Sequence, residues 1–197
     1  METINIVLCG LGGQGILFMT KVLAQAALDK GHNLMCAETH GMAQRGGSVV
    51  SHLRIGDAKG SLVQEGTAHL VLALEENEGY RNLPFLARGA GFYVNADSRK
   101  FPKEGLKTFF EQKEIRFRSI DAGDLAMELG APMSLNLALL GFFSAFGDGP
   151  LNHEEIRGTI GKITSSRLRE INLRLFDAGF EKGSAEAEGR GGQYGNE

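Results

Sequence analysis

Two stretches near the start of the chain carry residue types able to do chemistry. The first is Gly10-Leu11-Gly12-Gly13-Gln14-Gly15, which follows an apolar run and opens a helical pattern. Glycines in that context let backbone approach a ligand closely, and a helix N-terminus offers free N–H groups and a positive dipole end to an anion. Gly10, Gly12, Gly13, Gln14 and Gly15 are therefore candidate phosphate or anion contacts. The same glycines equally make a tight turn that lets the helix pack on the strand, and both readings stand. The second stretch, Glu38-Thr39-His40-Gly41-Met42-Ala43-Gln44-Arg45-Gly46-Gly47-Ser48, is too polar and glycine-rich for a core. It leaves the carboxyl end of a strand, where open α/β sheets place their sites. In it Arg45 can neutralise a carboxylate or phosphate, and His40 can hydrogen-bond or shuttle a proton. An interface uses the same residues differently, with Arg45 in a cross-subunit ion pair and Met42 as an adaptable contact.

These segments must be held by a framework, and the pattern supplies one. Ile4 to Cys9 reads as a buried parallel strand and Ile16 to Lys30 as a helix closed by Gly31. Asn33 to Glu38 predicts a second strand and Ser48 to Ile55 a third, with an antiparallel partner. Further strands are expected at 69–74, 91–95 and 115–120, with a largely helical segment over 75–88. Helices follow over 124–129, 135–146, 153–160 and 165–180. This alternation predicts an α/β three-layer sandwich with a mainly parallel, Rossmann-like sheet and a helical C-terminal part, one domain over residues 1–180. The Gly-, Ser- and Glu-rich residues 181–197 are expected to be a flexible tail.

The helix around Leu137 to Phe146 is apolar nearly all round, so it needs cover from the sheet and from a second element. With the polar loop beside it, this helix leads to the expectation that the isolated chain exposes a sticky face and forms a homodimer. His52 and Arg54 fall on one side of their strand and read as a solvated or subunit-facing stripe, and Arg167, Arg169 and Arg174 as the solvated face of a helix whose apolar face holds Leu168, Ile171, Leu175 and Phe176. Glu75, Glu76 and Glu78 read as helix-start charges and His69 as a satisfied edge residue.

Composition narrows the classes of function. Among 197 residues the net charge is −3, and the basic side chains are interspersed with acidic ones, so a nucleic-acid partner is not expected. No apolar run approaches the roughly 20 residues of a membrane span, and residues 1–5 lack a secretory signal, so a cytoplasmic chain with reduced thiols is expected. Cys9 and Cys36, the two cysteines, both read as core residues and form neither a cluster set nor a zinc site, and no metal site is expected.

The glycine-rich turn followed by the His-Gly-Met-Ala-Gln-Arg-Gly-Gly-Ser-Val run resembles the gamma domain of 2-oxoacid:ferredoxin oxidoreductases, and within that family the indolepyruvate branch. The likeness extends through Ser51 to Ile55, Leu70 to Glu75, Val94-Asn95 and Asn136 to Gly141, roughly three quarters of the chain. It implies a subunit, inactive alone, of a complex that decarboxylates a 2-oxoacid, indolepyruvate or another aryl-pyruvate, on thiamine diphosphate with magnesium. Electrons then pass through iron–sulfur clusters to ferredoxin, and coenzyme A takes the acyl group. Those cofactors belong to companion subunits, and this chain alone is expected to bind none. The alternative from the residues themselves is a free-standing NAD(P)-dependent Rossmann oxidoreductase, with Glu38 as the ribose-binding acid about 20 residues beyond the turn.

Overall fold

The computed structural model describes residues 2–40 and 46–191, with His40, Arg190 and Gly191 described for their backbone alone. Six strands form one sheet: β1 (Ile4–Leu11), β2 (Leu34–His40), β3 (Ser48–Ile55), β4 (Ala68–Ala73), β5 (Leu86–Asn95) and β6 (Arg116–Ile120). Their order is β2-β3-β1-β4-β5-β6, with β1, β4, β5 and β6 parallel and β3 antiparallel to both β1 and β2. The sheet is thus mainly parallel, and β3 is the reversed strand the alternation at Ser48 to Ile55 predicts.

Alternation along β1 divides the core. Ile6 and Leu8 face one side, with α1 (Ile16–Asp29), α4 (Ala122–Glu128), α5 (Leu135–Ser144) and α6 (His153–Ile163). Val7 and Cys9 face the other, with Val63, Phe92 and Phe110 under α2 (Glu76–Arg81) and α3 (Lys107–Gln112). Helices on both faces make the three-layer α/β sandwich. Gly31, with φ 81°, ends α1 as expected, its N–H bonding to Leu28 O and that of His32 to Ala27 O.

The long helix α7 (Ser166–Gly191) lies over α5, whose residues Asn136 to Ser144 are all buried. That is the second cover the apolar α5 requires, so among the described residues α5 itself exposes no sticky face. Close approach depends on small residues. A Cβ on Gly141 would stand 1.9 Å from Phe176 O, and one on Gly179 would stand 2.0 Å from Ala138 O.

Four local expectations differ from the structure. The segment 75–88 is helical only over α2, because Pro84 and its short 3-10 turn Leu83–Phe85 break the pattern and β5 already starts at Leu86. The helix expected to stop at Phe180 continues to Gly191, into the stretch read as a flexible tail, and the glycine-rich composition has a packing reason: a Cβ on Gly183 would meet Phe142 O and Ala145 Cβ, each at 2.7 Å. Cys36 is exposed, since β2 is an edge strand, whereas Cys9 is buried. Leu168, assigned to the apolar face of α7, is exposed, while Leu175 and Phe176 are buried as expected.

Candidate functional site

The carboxyl edge of the sheet gathers the polar chemistry. After β4, Glu75 caps α2 by accepting from Glu78 N at 2.7 Å. After β5, Asn95 joins three elements: its Oδ1 accepts from Ala122 N at 2.9 Å and Gly123 N at 3.3 Å, while its Nδ2 donates to Leu74 O at 3.2 Å. Each strand end is thereby tied to the next, which holds the edge as a unit.

The glycine turn lies at the same edge, after β1. Gln14 closes it, with Leu11 N donating to Gln14 Oε1 at 2.7 Å and Gln14 N to Leu11 O at 3.1 Å. A Cβ on Gly10 would stand 2.8 Å from that Gln14 oxygen and 3.1 Å from Leu74 Cβ. Gly13 and Gly15 have φ of 99° and 88°, values only glycine adopts without strain. Gly15 is the N-cap of α1, and Asn136 Nδ2 from α5 donates to its carbonyl at 3.2 Å. Among the described residues no side chain caps α1, and its first turn holds no acidic residue, so its N-terminus offers a positive dipole end.

Gly12 N donates to Gly47 O at 2.8 Å, which brings the exit of the second stretch onto the glycine turn. His40 ends β2 opposite Val49. Arg45 and Met42 lie outside the described residues, so the two stretches meet through Gly47 and Ser48. Ser48 Oγ donates to Glu78 Oε2 at 2.6 Å, and Arg81 donates to the other carboxylate oxygen. Glu78 is only 1% exposed. Buried carboxylates require partners, and Ser48 and Arg81 supply them. Glu78 is therefore more than the helix-start charge that its position in the sequence predicts. Its burial has no signal in the pattern, because it depends on Gly79, where a Cβ would stand 2.9 Å from the Phe92 ring, letting α2 lie close on the sheet.

The neighbouring residues resolve differently from one another. His52 and Arg54 do share a side of β3, yet they form no solvated stripe, because the segment after β3 folds over them. Val63 N donates to His52 Nδ1 at 3.3 Å, and Arg54 donates to Asn5 Oδ1 at 2.9 Å and Gly60 O at 2.7 Å. Burial holds the His52 imidazole below its ordinary pKa. His69 accepts from Asn5 N at 3.0 Å, a satisfied edge residue as read. A serine, a histidine and an aspartate also meet under α7, with Ser144 Oγ 3.4 Å from His153 Nδ1 and His153 Nε2 4.0 Å from Asp177 Oδ1. The Ser144 hydroxyl is buried and donates to Gly141 O at 2.7 Å, so that trio is packing and not an activated nucleophile.

The dinucleotide alternative needs Glu38 beside the glycine turn. Instead β3 separates β2 from β1, two strand spacings or roughly 9.6 Å. Iron–sulfur ligation fares no better here. Cys9 and Cys36 sit on those same separated strands, and burial followed by the charges of Glu78 and Glu75 drives the Cys9 thiol far above its ordinary pKa. The donor set of this chain does not fit a cluster.

The family model for pyruvate ferredoxin/flavodoxin oxidoreductase matches residues 5–182. The chain belongs to that family. Among relatives of this oxidoreductase family, the indolepyruvate oxidoreductase subunit IorB of Methanothermobacter thermautotrophicus is 35% identical over 89% of this chain and 95% of its own length. The IorB subunit of Thermococcus kodakarensis is 36% identical over 92% of this chain and 96% of its length. In fold, the chain is similar to a keto/oxoacid ferredoxin oxidoreductase gamma subunit from Geobacter sulfurreducens, with TM-score 0.73 and 22% identity over 92% of this chain and 99% of that one. The resemblance carried by the two stretches is thus shown, and the chain is a small subunit of the 2-oxoacid:ferredoxin oxidoreductase family. Nothing in the comparisons supports a free NAD(P) enzyme. Among the described residues no helix is long and apolar enough to cross a membrane.

Proposed function

We propose that this cytoplasmic chain completes the active site and the assembly of a thiamine-diphosphate-dependent 2-oxoacid:acceptor oxidoreductase whose substrate is indolepyruvate or another aryl-pyruvate. Thiamine diphosphate with magnesium, held by a companion subunit, would supply the decarboxylation. The companions would also carry the iron–sulfur clusters, pass electrons to ferredoxin and hand the acyl group to coenzyme A. The contribution of this chain is positional and electrostatic.

The observation that carries the reading is the 2.8 Å bond from Gly12 N to Gly47 O, which ties the glycine turn to the exit of the arginine-bearing stretch on one sheet edge. An uncapped α1 N-terminus and the Arg45 guanidinium then offer two sources of positive potential for a carboxylate or phosphate reaching that edge from the companion. His40 adds a group able to donate, accept or carry a proton. The substrate preference comes from relatives named for indolepyruvate.

The test is a complex reconstituted from this chain and its thiamine-binding companion. Arg45→Ala should lower 2-oxoacid oxidation at least tenfold, about 1.4 kcal/mol of barrier, without changing the thermal midpoint of the isolated chain. His40→Ala should change the pH profile of the complex. Full turnover by both variants would refute the reading.

A further inference from the structure

Among the described residues the buried set holds one carboxylate, Glu78, and no lysine or arginine. Burying a charge forfeits its hydration, and replacing a buried ion pair with apolar groups of similar volume is commonly neutral or stabilising. Net stability is therefore a weak reason for a carboxylate at this place. A fixed geometry is a stronger one, because a hydrogen-bonded charge accepts its partners in few arrangements.

The bonds of Glu78 show what it holds. Ser48 opens β3 opposite Leu11, the last residue of β1. The next pair out is Gly12 and Gly47, joined by Gly12 N donating to Gly47 O at 2.8 Å. These are the final rungs of the β1–β3 ladder, where strand gives way to the glycine turn. Ladder ends open most easily, and two glycines bring the greatest backbone entropy to such a pair. Ser48 Oγ donates to Glu78 Oε2 at 2.6 Å, so this end is bonded to a helix lying on the sheet face. The base of the bond is fixed in turn. Asn82 Nδ2 donates to Glu78 O at 2.8 Å, and Gly79 lets α2 lie so close that a Cβ there would stand 3.0 Å from Ala73 Cβ of β4. Arg81 donates to the other carboxylate oxygen, which leaves Oε2 for Ser48.

We propose that Glu78 is a positioning residue: through Ser48 and Gly47 it sets where Gly12 and the glycine turn stand on the sheet edge. Its action on the reaction is indirect, through the position of the turn. This role rests on the reading that the turn serves a pocket shared with the companion subunit.

The experiment replaces the ion pair with an apolar fill. In Glu78→Met combined with Ser48→Ala no hydroxyl is left unpaired, and Arg81, whose side chain is 70% exposed, keeps its water. The thermal midpoint of the full-length chain should be unchanged or higher. Native-state hydrogen exchange of the Gly12 amide should nevertheless be about tenfold faster, a local opening that global stability does not produce. Glu78→Gln alone, whose amide both donates and accepts at the Ser48 hydroxyl, should keep Gly12 within about threefold of the parent rate. In a complex reconstituted with the companion subunit, the double variant should lose about tenfold in 2-oxoacid turnover at an unchanged amount of bound chain. The proposal is overturned if Gly12 exchange is unchanged in the double variant, or rises only with a fall in midpoint. It is also overturned if Glu78→Gln loosens Gly12 equally, or if a loosened turn leaves turnover intact. A companion that reaches full turnover without the parent chain would instead remove the function proposed above, while exchange in the isolated chain still decides whether Glu78 anchors the turn.

Discussion

Replacing Gly141 with alanine tests the way α7 covers α5. A Cβ there would start 1.9 Å from Phe176 O and would have to move beyond 3.0 Å, so the two helices must part by more than 1 Å. The obstructing atom is backbone and cannot rotate aside. Overpacking of this kind costs about 1–3 kcal/mol, and the upper end applies when no side chain can yield. Against it stands the better helix propensity of alanine, about 1 kcal/mol. The net loss is about 2 kcal/mol, or about 4–8 °C in thermal midpoint for a chain of this size. Gly158→Ala is the control, because in α6 a Cβ at Gly158 meets nothing within 4 Å. It should raise the midpoint by about 1–4 °C, so the two variants move in opposite directions. Thermal unfolding followed by circular dichroism reads both. A Gly141→Ala chain as stable as the parent would refute the argument that backbone contact sets the helix separation.

Acid should weaken the fold through its buried imidazoles. Burial lowers the pKa of both His52 and His153 from the ordinary 6.5. The unfolded chain therefore binds more protons than the folded one near pH 6, so this stability is present above pH 6.5 and is lost as pH falls through the lower folded values. Urea midpoints that are flat or rising from pH 7.5 down to about pH 5.5 would contradict that sign. Thiol titration of the native chain should find Cys36 reactive and Cys9 silent until denaturant is added, since one is exposed and the other buried. Rapid reaction of two thiols would mean β1 is not enclosed. Glu78→Ala should cost roughly 1–3 kcal/mol by leaving the Ser48 hydroxyl unpaired, measured by urea unfolding, and combining it with Ser48→Ala should add little further loss. Fully additive losses would show that the two groups do not share an interaction.

Local chemistry made much of this molecule legible in its sequence. The β-branched run at Ile4, the glycines after it and the spacing from Ile16 define β1, the turn and α1, because each depends on residues near one another. The reversed β3 and the need for cover on α5 were also readable. What escaped depends on distant partners. Nothing local in Ser48 to Ile55 says that β3 pairs between β1 and β2, yet that insertion exposes Cys36 on an edge and carries Glu38 away from the turn. Gly183 looks like a flexible residue until Phe142 O is seen against it. Glu78 carries no mark of burial, which Gly79 and the Phe92 ring impose from outside its own helix. At the candidate site the glycine turn and its neighbour were legible as a pair, whereas the Asn95 bonds to Leu74 O and Ala122 N join segments far apart in the chain.

The most direct measurement compares 2-oxoacid-dependent viologen reduction by this chain alone, by the companion subunit proposed to hold thiamine diphosphate alone, and by the two together, with NAD(P) binding to the isolated chain titrated in parallel. Activity only in the mixture, with no nicotinamide binding, is the predicted result. Nicotinamide-linked turnover by the isolated chain, or a companion that reaches full activity without it, would contradict the account.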